Sequence, residues 1–117
     1  MAETKYFDSY ALSSLKEILA GDFENLLSAY RKDVCEHFDV ILHHLKQDDR
    51  SGVLKSVHSL KGSSGNIGAL AFSKICENFE TSVKDNEDSS IEENSRLFFE
   101  SKTPLLLEID SLLETCC

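Results

Sequence analysis

The chain contains no tryptophan, a single proline and a single methionine, and only five glycines in 117 residues. Few positions can break a helix, so long helices are possible. β-Branched residues are sparse beside Leu, Ala, Glu, Lys and Ser, which points to an all-α fold. No stretch approaches the ~20 apolar residues that a transmembrane helix needs. Met1 to Tyr10 carries charges and no apolar run, so neither a secretory leader nor membrane insertion is expected. Positive charge is also short: 12 Lys and Arg stand against 21 Asp and Glu, a net −9. That excludes a general nucleic-acid binder, because phosphate contacts need clustered cations. Any site for an anionic group here must bring its own local positive charge. The cysteines Cys35, Cys76, Cys116 and Cys117 form no C-x-x-C pair. In the cytoplasmic protein expected here they are free thiols, with Cys35 and Cys76 on or beside apolar stripes. Lipid attachment at Cys116-Cys117 lacks a polybasic neighbour and is set aside.

What is present fits a single domain over residues 1–117. Hydrophobic residues make up 41% and charged residues 28%, enough for one core. Five helical segments follow from the periodicity. Ser9 to Ala20 is short, with Tyr10, Leu15, Ile18 and Leu19 as its apolar side and Gly21 as a stop. Asp22 is the expected N-cap of a long helix bearing Phe23, Leu26, Leu27, Tyr30, Val34, Phe38, Ile41, Leu42 and Leu45. A third helix, Arg50 to Ile67, has Val53, Val57, Leu60, Ser64 and Ile67 as its stripe. A fourth, Ala69 to Asp85, has Phe72, Ile75, Cys76, Phe79 and Val83. After a polar connector from Asn86 to Ser90, the region Ile91 to Glu114 either kinks at Pro104 or restarts there, with Thr103 as N-cap. Four long amphipathic segments with short connectors predict an up-down-up-down four-helix bundle, its core spanning about residues 22–115, with a short N-terminal capping helix.

The stretch Val57-His58-Ser59-Leu60-Lys61-Gly62-Ser63-Ser64-Gly65-Asn66-Ile67-Gly68-Ala69 does not suit a purely structural helix. Each glycine in a helix costs about 1 kcal/mol relative to alanine, so something must gain from the missing side chains. At ~100° per residue the core stripe lies opposite His58, and Leu54, Lys61, Gly62 and Gly65 share its side. An exposed imidazole, an ammonium one turn away and bare backbone form a face fitted to chemistry. A neutral imidazole is nucleophilic near pH 7. Attack on phosphorus spreads charge over three oxygens, which Lys61 can offset. The glycines let another protein approach the helix closely.

His58-Ser59-Leu60-Lys61-Gly62-Ser63-Ser64, with Gly68-Ala69 behind it, resembles the phosphoacceptor signature of histidine phosphotransfer (HPt) domains. The resemblance implies that His58 is the phosphorylated residue, that Lys61 stabilises the phosphoryl group and that Gly62 admits a receiver domain. It implies a phosphorelay intermediate with no kinase active site of its own. Its partners would be receiver domains, one of a hybrid sensor kinase and one of a response regulator, and the receiver would supply Mg²⁺. Leu54, Gly62 and Gly65 are the expected docking residues for a free-standing, monomeric protein. One position departs from the family pattern. The hairpin between the third and fourth helices turns near Gly68, and a dozen residues beyond lies Glu80, where many members carry glutamine. Glu80 is expected either to accept a hydrogen bond from His58 or pair with Lys61, or else to be a solvated helix-flank residue.

Two other readings use the same residues. A helical adaptor would bind partners through this face without phosphate chemistry, but would not need His58 with Lys61. A metal-binding bundle would use His37, His43 and His44, yet these lack an i, i+4 pair, so no metal site is expected.

Overall fold

The computed structural model describes residues 4–115. Among them are six helices and no strand: α1 (Ser9–Leu19), α2 (Asp22–Lys46), α3 (Arg50–Asn66), α4 (Leu70–Asp85), α5 (Asp88–Glu100) and α6 (Lys102–Glu114). Apolar residues at steps of three and four make each long helix one-sided, and those sides meet. α2 packs on α3, α3 on α4 and α4 on α5, while α6 returns to α2 and α1 lies against α2. The result is elongated, 43 × 21 × 21 Å. At the centre, Phe98 of α5 stacks on Phe38 of α2 with ring centroids 4.4 Å apart, and Phe79 of α4 lies 5.2 Å away. All three rings are buried; burying each side chain is worth about 1.5–3 kcal/mol.

The stripes predicted for the second, third and fourth helices are found in this core at all but their edges: Leu26 and Leu42 stand exposed and Leu45 and Ile75 are half-buried. Cys76 is buried and Cys35 half-buried, both free, while Cys116 and Cys117 lie outside the described residues.

Four local expectations are corrected. The buried stripe of α1 is Leu12, flanked by half-buried Leu15 and Leu19, whereas Tyr10 and Ile18 point outward at 81% and 76% exposure. The Asp8 amide donates to the Gly68 carbonyl at 2.8 Å, and the Asp8 carboxylate caps Ala11 N–H at 2.8 Å. These bonds fix the rotation of the helix. Gly68 adopts φ +86° at that turn, and a Cβ there would press on Ala11, so glycine is required. Asp22 is the first residue inside α2 rather than its cap; Gly21 holds that place with no side-chain bond, and Asp22 adds negative charge to the first turn. The connector after α4 is only Asn86-Glu87, because Asn86 takes the left-handed conformation (φ 57°) and reverses the chain at once. Near Pro104 the helix does restart, but the break is at Ser101, not Thr103. Proline has no N–H for the Glu100 carbonyl, and its ring collides with that group in a continuous helix. The chain therefore turns three residues earlier, and Pro104 sits within the first turn of α6, where its missing donor costs nothing.

The segment before α1 is held by a device that periodicity could not reveal. Tyr6 and Phe7 are buried. Their amides, with that of Lys5, all donate to the Glu108 carboxylate of α6 at 3.0–3.1 Å.

Candidate functional site

Asp49 caps the start of α3, its carboxylate accepting the Gly52 amide at 3.0 Å. Val53, Val57, Leu60 and Ser64 face the core. His58 therefore stands on the outer face, its side chain 67% exposed. Gly62 is open, with nothing within 4 Å of the place a Cβ would occupy. Gly65 is half-buried, and a Cβ there would lie 3.7 Å from Ser73 Oγ of α4. Ser73 Oγ also donates to the Lys61 carbonyl at 3.0 Å, locking α4 against this stretch. Leu54, expected to be an exposed contact, is half-buried and packs on the core. Part of its surface therefore remains open beside His58. On the core side, the Ser64 hydroxyl lies 2.6 Å from the buried Tyr30 hydroxyl of α2.

The structure brings Glu80 to His58 and Lys61. Ten residues before the α3–α4 turn and a dozen after it, the antiparallel helices face each other. His58 Nδ1 lies 2.9 Å from Glu80 Oε2, and Lys61 Nζ donates to Glu80 Oε1 at 2.8 Å. Glu80 is no solvated flank residue, being only 5% exposed. Burial alone would raise its carboxyl pKa. Hydrogen bonds from Lys61 and His58, with the charges of Lys61 and Lys84, outweigh burial and hold it below the usual range. Glu80 is thus an anion at neutral pH. The reciprocal effect raises Lys61 through its hydrogen bond to Glu80.

A carboxylate accepts only, so the 2.9 Å contact requires a proton on His58 Nδ1. In the neutral ring the lone pair then belongs to Nε2, which points away from Glu80. The geometry presents one nucleophilic nitrogen to solvent, with an ammonium one turn along.

Lys84 is a further member that the sequence reading did not single out. One turn beyond Glu80 on α4, its Nζ lies 3.8 Å from Glu80 Oε2. The i, i+4 spacing from Glu80 was the available signal.

The other histidines do not converge on one site, although the His43 and His44 rings lie 5.9 Å apart. His37 Nδ1 lies 3.1 Å from the Asp33 carboxylate and His44 Nδ1 3.1 Å from that of Asp49, while His43 is exposed. Among the described residues no three His, Cys, Asp or Glu side chains are grouped to hold a metal ion.

Fold and site together define a small helical protein that presents one tautomerically fixed imidazole on the outside of a bundle helix. The model of the family described as Hpt domain matches residues 25–115. The structure is similar to the crystal structure of histidine-containing phosphotransfer protein B (HptB) from Pseudomonas aeruginosa PAO1. The TM-score is 0.87 at 20% identity, covering 97% of this chain and 98% of that one. No curated protein matches by sequence. The chain belongs to the Hpt domain family, whose members carry phosphoryl groups on histidine in two-component phosphorelays and interact with receiver domains. Among the described residues no helix is long and apolar enough to cross a membrane.

Proposed function

We propose that His58 is the phosphoacceptor of this relay protein, that Lys61 stabilises the bound phosphoryl group, and that Glu80 orients the imidazole. The observation that carries the reading is the single contact between His58 Nδ1 and an ionised, buried carboxylate. It assigns the proton to Nδ1 and leaves the Nε2 lone pair for attack.

The step follows from that assignment. His58 Nε2 attacks the phosphorus of an aspartyl phosphate on a receiver domain. The N–P bond forms as the P–O bond to aspartate breaks, and that electron pair leaves with the aspartate carboxylate. Positive charge develops on the imidazole ring, where Glu80 faces it through the Nδ1 proton. The reverse sequence hands the group to a second receiver. Positioning and charge compensation suffice, as is usual in phosphoryl transfer. The receiver domain supplies the Mg²⁺, and this chain contributes no kinase site. The receivers are those of a hybrid sensor kinase and of a response regulator, met by a cytoplasmic monomer folded as a single domain.

The helix packing supports the up-down-up-down reading of the bundle: α2, α3 and α4 form three walls, the α5–α6 pair the fourth, and α1 a cap. In this arrangement Gly62 and Gly65 lie on the docking side, with the outer edge of Leu54 beside them. A transient interface of small area fits an intermediate that must meet two partners in turn.

The test is incubation with a receiver domain carrying labelled aspartyl phosphate. Wild type gains label, and His58→Ala with an unchanged helical spectrum gains none. Equal labelling of both proteins ends this reading and leaves an adaptor.

A further inference from the structure

Lys61 cannot serve two anions fully. In this structure its ammonium is committed to Glu80 Oε1 at 2.8 Å, and its side chain is only 27% exposed. A phosphoryl group on His58 Nε2 adds close to two negative charges on the open side of the ring and attracts the same ammonium. If Lys61 turned toward it, Glu80 would keep the Nδ1–H donor at Oε2 but lose the ammonium hydrogen bonded to Oε1. For a carboxylate 5% exposed, that loss is costly. A second cation is already in place. Lys84 Nζ stands 3.8 Å from Glu80 Oε2, the same oxygen that meets His58, and its side chain is 60% exposed and thus free to move.

We propose that Lys84 is a positioning residue that takes over the charge of Glu80 when Lys61 turns to the phosphoryl group. The three cationic or donor groups around one carboxylate work as an exchange. Without phosphate, Lys61 pairs with Glu80 and Lys84 stands by. With phosphate, Lys61 meets the phosphoryl oxygens, Lys84 closes on Glu80, and Glu80 continues to hold the Nδ1 proton. No bond is made or broken in this exchange. Lys84 acts through Glu80 and touches no reacting atom. The consequence is specific: the value of Lys84 depends on a charge at residue 80 and on phosphate at residue 58.

The inference rests on phosphorylation of His58. Its test uses phosphoramidate as donor, so that no partner protein is required. The N–P bond of phosphoramidate breaks, ammonia leaves and the His58 N–P bond forms. The lifetime of the phosphohistidine is then followed by ³¹P NMR in wild type, Lys84→Met, Lys84→Arg, Glu80→Gln and the double variant Glu80→Gln/Lys84→Met. Expected are a severalfold shorter lifetime for Lys84→Met, near-complete rescue by Lys84→Arg, and no further effect of Lys84→Met in the Glu80→Gln background. The unphosphorylated Lys84→Met protein should keep the wild-type urea midpoint. An equal fall in both backgrounds, no fall in either, or a fall that Lys84→Arg fails to rescue overturns the exchange while leaving His58 as acceptor. Wild type that takes up no phosphate, or His58→Gln that takes it up equally, overturns the acceptor assignment and the exchange with it.

Discussion

Two buried or half-buried glutamates, each on the inner side of a helix, gather several donors in this protein, and they differ in one respect. Glu108 of α6 accepts only backbone amides, those of Lys5, Tyr6 and Phe7. Glu80 of α4 meets only side chains, those of His58, Lys61 and Lys84. Backbone amides cannot leave without unfolding their segment, so the first carboxylate is a clasp. Side chains can swing away through their own torsions, so the second is a place where charge can be redistributed. The same functional group thus secures structure in one region and serves chemistry in another. The nature of its donors decides which.

The largest expected effect lies at the clasp. Glu108→Ala should lower stability by about 2 kcal/mol, since hydrogen bonds to a charged group contribute about 1.5–3 kcal/mol each and part of this is recovered when the freed amides meet water. Urea unfolding measures it, and phosphotransfer from a receiver should continue at the wild-type rate below the transition. A variant that unfolds no earlier, or that transfers slowly while folded, breaks the contrast between the two glutamates.

Next comes Glu80→Gln. The amide can still accept from Nδ1 but offers no charge to the ring as it becomes cationic. Transfer should slow about tenfold, close to 1.4 kcal/mol of barrier, with a smaller loss of unfolding free energy at pH 7. Single-turnover labelling measures the rate. An unchanged rate would show that the carboxylate's charge is idle and that orientation alone is at work.

The smallest effect concerns pH. The Glu80 carboxyl is held below its ordinary range in the folded protein, despite burial, chiefly by the Lys61 and His58 hydrogen bonds. Its contribution to stability is therefore present in full above the unfolded-state value, about 4.3 for glutamate, and is lost as pH falls through the lower folded value. The difference in unfolding free energy between wild type and Glu80→Gln should shrink steadily below about pH 4. Urea midpoints at pH 7, 5, 4 and 3 measure this, and a difference that stays constant into acid removes Glu80 from the set of stabilising anions.

Much of this was legible in the sequence because it depends on local period. The stripes of α2, α3 and α4 read correctly, and the register of one short hairpin carried Glu80 to His58 across 22 residues. The face of α1 was not legible because it depends on how that helix is rotated. α1 is set by a backbone bond to Gly68 rather than by its own hydrophobicity, and Leu54 is half-buried where full exposure was expected. Lys84 has an i, i+4 signature, but one shared with ordinary surface pairs such as Arg96 with Glu100. The Glu108 clasp links residues about a hundred apart in sequence, and nothing local marks an isolated glutamate as the acceptor for a distant strand of backbone.

That separation has a kinetic meaning. Closing a loop of 103 residues carries an entropic cost that grows with the logarithm of its length, and the acceptor exists only once α6 has docked. The clasp should therefore be among the last native bonds to form during folding. The amide protons of Tyr6 and Phe7 would then act as reporters for the whole assembly. Their hydrogen-exchange protection should follow the docking of α6, and any ligand that tightens the far helices against one another should slow exchange at these two sites.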